Sequence, residues 1–149
     1  GGRVKKIAEF IGDERFMLTY GDAVSDIDIS ALVRFHEEHG RNATITAVRP
    51  PARFGSLEFD GDRVTRFAEK HQSSEGWING GFFVFEPGMA DRIEGDSTIL
   101  EREPLEGLAR EGELVAFRHS GFWQCMDTVR DLAYLEDLWA SGSPDWRTW

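Results

Sequence analysis

A single cysteine, Cys125, is all the thiol the chain carries in its 149 residues, so no intrachain disulfide can form and a reducing compartment suits it. Long apolar runs are missing as well. None approaches the roughly 20 residues that a bilayer-spanning helix needs, and the N-terminus lacks a signal-peptide pattern, so no membrane partner and a cytoplasmic location are expected. Cations are scarce: 17 Lys and Arg stand against 27 Asp and Glu, for a formal charge of -10. With no basic stripe to release counterions, no nucleic acid is expected as a partner. That deficit still allows a small phosphorylated ligand, which a few cations and a divalent ion can neutralise locally. Repeats, low-complexity segments and internal linkers are also lacking. With 40% hydrophobic and 30% charged residues, residues 1–149 are expected to form one globular domain around one core.

What is present alternates between strand and helix patterns. No element is predicted before Phe16, and an opening of Gly1-Gly2-Arg3 without a Met reads as part of something longer. Phe16 to Tyr20 is a strand. Asp26 or Asp28 can cap a helix to about His39, with Ile29, Leu32, Val33 and Phe35 as its apolar side and Gly40 as its stop. The β-branched run Ala43 to Val48 follows, closed by Pro50-Pro51. Together these make a βαβ unit, whose right-handed crossover places two parallel strands in one sheet. Leu57-Glu58-Phe59 and Val64 to Phe67 flank Asp60-Gly61-Asp62, a hairpin turn signal, so the α/β sheet is predicted to be mixed and mostly parallel.

Trp77 to Phe85 reads as a loop entering a buried strand that Pro87 stops. A helix from Leu100 to Glu111 ends at Gly112, and Pro104 sits best near its first turn. Leu114 to His119 is a further strand, Phe122-Trp123-Gln124 a short apolar segment, and Thr128 to Trp139 a helix. Thr128 and Asp131 match a capping box with Asp in place of Glu. The tail at 143–149 carries Trp146 and Trp149, which dock on their own subunit or against a neighbour.

Four loop positions at strand ends or entries carry candidate chemistry. Gly21-Asp22 stands where the first strand stops, and in an open α/β sheet an acid there can hold a metal against a phosphate. The same acid could serve only a turn or a helix entry. Glu69-Lys70 follows the hairpin. Its acid could grip a sugar hydroxyl and its base a phosphate, unless the two are merely a solvated charged pair. Asn79-Gly80-Gly81 lets a backbone approach a ligand closely while Asn offers a donor and an acceptor, or else marks a bulge. Asp127 lies just before a helix, where an N-cap is the alternative to a metal ligand.

In these strings the chain resembles the sugar-1-phosphate nucleotidyltransferases, most closely their glucose-1-phosphate cytidylyltransferase branch. The match rests on LTYGD at Leu18 to Asp22, RFAEKH at Arg66 to His71, WINGGFFVFEP at Trp77 to Pro87 and GFWQCMDT at Gly121 to Thr128. It covers essentially the whole chain; the last two strings are particular to the cytidylyl branch, and YGD and EK are shared more widely. The resemblance implies a Rossmann-like nucleotidyltransferase fold that is incomplete at its N-terminus. It implies Mg²⁺ held by Asp22 and Asp127, nucleotide contacts at Arg3 and Gly21, and sugar-phosphate contacts at Glu69, Lys70, Asn79 and Gly80. CTP and glucose 1-phosphate are the implied partners, and a homo-oligomer the expected assembly.

Two residues depart from the family pattern: His71 stands where proline is usual, and so does Cys125 in the cytidylyl branch. Other branches carry their metal Asp at the position of Cys125, so here the second ligand is Asp127, shifted by two residues, or it is absent. The family's Gly-x-Gly-x-Arg-Leu turn and its lysine, which hold the triphosphate, have no counterpart. The chain is therefore expected to be the C-terminal part of such an enzyme. The implied reaction is in-line attack by the sugar phosphate on the α-phosphorus of CTP with release of pyrophosphate. Its nucleophile is already ionised near pH 7, so positioning and charge neutralisation suffice without a general base. A noncatalytic sugar-phosphate-binding or assembly module, and transfer from another nucleoside triphosphate such as dTTP, are the alternatives.

Overall fold

The computed structural model describes residues 1–51, 56–68 and 76–148. Their contacts group into two compact units. The first comprises Gly1–Tyr20, Asp28–Thr46 and Gly81–Arg118; the second comprises Gly21–Ile27, Ala47–Gly80 and His119–Trp149.

The first unit is built on a four-stranded mixed sheet in the order β1-β6-β3-β7. β1 is Phe16–Thr19, β3 Ala43–Val48, β6 Ile78–Phe85 and β7 Leu114–His119. β1 runs antiparallel to β6, with Phe16 opposite Phe85 and Thr19 opposite Phe82. Helix α2, Ile29–His39, is capped by Asp28, whose side chain accepts the Ala31 N–H at 2.8 Å. It stops at Gly40, which adopts a left-handed φ of 61°. Asp28 and not Asp26 is therefore the cap, which leaves Asp26 for other work. Helix α3, Glu103–Arg110, starts three residues later than Leu100, with Pro104 in its first turn, where a missing N–H costs nothing.

The opening of the chain corrects the sequence reading. Gly2–Ile11 form helix α1, against the expectation of no element before Phe16. Val4 is buried among the core residues, and α1 lies against a 3-10 helix at Pro87–Arg92, where Lys5 Nζ donates to the Ala90 carbonyl at 3.1 Å. Glycine is needed at position 2, since a Cβ there would come within 2.4 Å of the Asp96 carbonyl oxygen. The paired glycines that read as an unstructured start instead admit the helix to its seat.

Phe83, Phe85, Met89, Ile93, Leu100, Leu105 and Leu108 form the core of this unit, with Phe83 and Phe85 stacked at 5.3 Å. A polar cluster is built beside them. His36 and Thr44 are buried, and Thr44 Oγ1 lies 2.7 Å from both His36 Nδ1 and His39 Nε2. One hydroxyl has one proton to give, so the surroundings fix the direction of every bond. The Arg41 N–H donates to His39 Nδ1 at 2.9 Å, leaving His39 to donate from Nε2 to Thr44. Thr44 then donates to His36 Nδ1, and His36 Nε2 donates to Glu86 at 3.0 Å. Arg15 closes the chain on Glu86 and Glu37 at 2.8 and 2.7 Å. Burial raises the Glu86 carboxyl, but the bonds from Arg15 and His36 outweigh it and hold it below its usual range.

In the second unit β2, Ala23–Ser25, pairs antiparallel with β8, Trp123–Cys125, so that Ala23 faces Cys125 and Ser25 faces Trp123. β4, Ser56–Asp60, and β5, Arg63–Ala68, form the expected hairpin, with Gly61 at φ 58° in the turn. Helix α4, Val129–Ala140, begins with a complete capping box between Thr128 and Asp131. In the tail, the Trp146 ring packs 5.6 Å from Phe122; Trp149 lies outside the described residues.

The first unit generates a pH prediction. Burial, followed by the nearby His36 and Arg41, lowers the pKa of His39 from its model-compound 6.5. The unfolded chain therefore binds more protons as pH falls below about 6.5, and stability must fall with it. The melting temperature is expected to drop between pH 7.5 and 5.5. Thr44→Val, which leaves two ring nitrogens without their partner, is expected to lose about 1–3 kcal/mol by denaturant unfolding. A melting temperature flat over that range would contradict the assignment.

Candidate active site

The β2–β8 ribbon brings two acids remote in sequence to one of its ends. Beyond the last strand pair, the Met126 N–H donates to the Asp22 carbonyl at 2.7 Å. Asp22 thus sits opposite Met126, and Asp127 is the next residue along. Both acids are exposed at this end of the ribbon. Asp22 lies in the turn that follows β1, yet among the described residues its side chain accepts no hydrogen bond, so it does not cap that turn. Asp127 is not the helix cap either, because Thr128 fills that position. The Cys125 thiol donates to Asp127 Oδ2 at 3.4 Å.

This donor set suits a hydrated magnesium ion. Two carboxylates with room for water and substrate oxygens are what Mg²⁺ commonly takes, whereas a closed soft-metal site needs more protein ligands. Among the described residues no group of three or more His, Cys, Asp or Glu is arranged to hold a metal. Gly21 precedes Asp22 with nothing within 4 Å of where a Cβ would stand. The fold does not require glycine there, which leaves a ligand's close approach as a reason for it.

The Asn79-Gly80 segment is the start of β6, in the same unit as both acids. It is tied to β8 directly, for the Trp123 indole N–H donates to the Gly80 carbonyl at 2.8 Å, and Gly80 and Trp123 are both buried. β8 thus supports the Asn79-Gly80 segment at Trp123 and leads to an acid at Asp127. Gly81 follows with φ 78°, and a Cβ on it would sit 3.0 Å from the Tyr20 ring. Tyr20 N–H donates to the Gly81 carbonyl at 2.9 Å, and its hydroxyl is hydrogen-bonded to Glu101. Two signals were thus missed in the sequence: Trp123 as a support for Gly80, and Glu101 as a tether for the tyrosine before Gly21.

Arg3 lies on α1, exposed, in the first unit. Glu69 and Lys70 lie outside the described residues, as does His71. Among the described residues no helix is long and apolar enough to cross a membrane.

The model of the Nucleotidyl transferase family matches residues 2–134. A glucose-1-phosphate cytidylyltransferase from Salmonella typhi is 52% identical over 150 residues, covering 100% of this chain. The chain spans 58% of that relative's length. A mannose-1-phosphate guanylyltransferase catalytic subunit beta from Danio rerio is 35% identical over 123 residues, covering 79% of this chain and 34% of its own. Among solved structures, HddC from Yersinia pseudotuberculosis superposes with a TM-score of 0.63 at 21% identity, over 88% of this chain and 58% of its own. That likeness confirms the α/β fold.

Gly81→Ala tests the packing beside the Asn79-Gly80 segment. A methyl group combined with a left-handed φ is expected to cost about 1–3 kcal/mol, read as a lower denaturant midpoint at unchanged slope. An unchanged midpoint would show that Tyr20 gives way freely.

Proposed function

The chain belongs to the nucleotidyl transferase family, and we propose that it supplies the metal and sugar side of a glucose-1-phosphate cytidylyltransferase. The protein it serves would transfer a cytidylyl group from CTP to glucose 1-phosphate, giving CDP-glucose and pyrophosphate. The observation that carries this reading is the β2–β8 pairing, which brings Asp22 and Asp127 to one end of a ribbon whose Trp123 holds Gly80. The whole-length similarity to the Salmonella cytidylyltransferase supports the choice of base and sugar.

In this reading Asp22 and Asp127 hold Mg²⁺, which when bound supplies charge neutralisation on phosphate oxygens. Gly21 lets the nucleotide approach the backbone. Asn79 and Gly80 orient sugar hydroxyls, and Arg3 contributes to the nucleotide side. Glu69 and Lys70 complete the proposal as a grip on sugar and phosphate. The attacking phosphate is ionised near neutral pH, so no residue needs to remove a proton from it. The barrier is lowered by alignment and by shielding charge between two anions. A cytoplasmic homo-oligomer is part of the same reading.

The test uses the intact gene product. Asp22→Asn and Asp127→Asn are each expected to lower turnover at least ~100-fold, because each removes a charged metal ligand. Near-normal turnover in either would remove that residue from the site. Product analysis with each nucleoside triphosphate is expected to show preference for CTP; preference for dTTP or GTP would move the chain to another branch. Binding of glucose 1-phosphate with no transfer from any triphosphate would favour the noncatalytic module.

A further inference from the structure

The ribbon that joins the two acids is only three residue pairs long, and it is a sheet of its own. Isolated two-stranded ribbons are marginal in water, and a slip of one residue would turn every side chain to the other face. Something outside the ladder must hold the register. The end remote from Asp22 and Asp127 carries an unusual concentration of bonds on one acceptor. The Phe122 carbonyl receives the Asp26 N–H at 3.2 Å, the Ser25 hydroxyl at 2.6 Å and His119 Nε2 at 3.3 Å. The same His119 Nε2 lies 2.8 Å from Asp26 Oδ1, with the histidine side chain 13% exposed and the aspartate 34%.

A single N–H on Nε2 therefore bridges the residue after β2 and the residue before β8. Gly121 completes the fit. A Cβ there would stand 2.5 Å from Asp26 Oδ1 and 2.7 Å from His119 Cε1, so only glycine lets the loop close over the pair.

We infer that His119 and Asp26 are positioning residues for the two-acid site, clamping the far end of the β2–β8 ribbon so that Asp22 and Asp127 stay together at the near end. The inference rests on the two-acid reading above. Asp26 is four residues from Asp22, roughly 13 Å along an extended strand, so the pair acts through the ribbon's register and not by touching the metal or substrate. A bare structural role would be felt throughout the unit. A register role is felt at the ribbon and at the metal.

The test combines Mn²⁺ binding, followed by electron paramagnetic resonance, with amide hydrogen exchange on the intact gene product. His119→Leu is expected to weaken Mn²⁺ binding about tenfold, as loss of a ligand-orienting residue does. It is also expected to speed exchange of the Met126 amide, while amides of the β4–β5 hairpin in the same unit exchange as before. His119→Gln keeps a donor at the reach of Nε2 and is expected to recover most of both losses. His119→Asn, whose amide stops short of Asp26, serves if the leucine variant does not fold, with the same expected direction. Wild-type Mn²⁺ affinity and unchanged Met126 exchange in folded His119→Leu or His119→Asn would overturn the clamp. Asp22→Asn separates the two ideas. If it binds Mn²⁺ as tightly as wild type, the metal reading fails, while Met126 exchange in the His119 variants still decides whether the pair holds the ribbon.

Discussion

The pairing of β2 with β8 is the constraint on which the proposed chemistry depends. It joins a turn near the start of the chain to a loop near its end, and three residue pairs suffice because each end is closed by a further backbone bond. Such long-range closure gains nothing until distant segments have met, so its cost in chain entropy must be offset by the contacts made around it. The buried indole of Trp123, bonded to Gly80, is one such contact, and the capping box of α4 is another. The first fixes β8 against the start of β6. The second sets the direction in which the chain leaves Asp127.

The first unit meets a different demand, since its polar cluster must lie beside an apolar core without an unmet bond. The directed chain from the Arg41 amide through His39, Thr44 and His36 to Glu86 does this with each ring nitrogen serving once. It also joins α2 to β3 and to the end of β6. Half-satisfied networks of this kind are worse than apolar packing, so the gain lies in specifying one arrangement of those elements. Thr46, two residues along β3, has no hydrogen-bond partner for its buried hydroxyl among the described residues. The contrast shows how fully Thr44 is used.

Elements with a strong local signal were legible in the sequence. The Asp28 cap and Gly40 stop of α2, the β-branched run of β3, the Asp60-Gly61 turn and the Thr128 capping box all act within a few residues, and each was found where expected. Helix α1 was missed because its opening glycines carry packing requirements, Gly1 against Thr98 and Gly2 against Asp96, which no local pattern encodes. β2 was missed because three residues are too few for a period, and the strand exists only through its distant partner. The same reason hid His119 and Asp26: one looked like the end of a strand and the other like an alternative helix cap, and only the tertiary contact gives them a common role. Asp22 and Asp127 were paired only through family resemblance, whereas each alone read more readily as a turn or cap residue.

The exposure of those two acids fits the role proposed for them beside a phosphorylated ligand. With a formal charge of -10, the protein cannot attract a phosphorylated ligand through its overall field, so attraction must be created locally. Holding them on a solvated ribbon end leaves room for the water that a magnesium ion would retain in the proposed site. That choice leaves geometry as the only means of making the pair a site. Rigidity must then come from the backbone pairing and from what braces it, namely the Trp123–Gly80 bond on one side and the crowded Phe122 carbonyl at the far end.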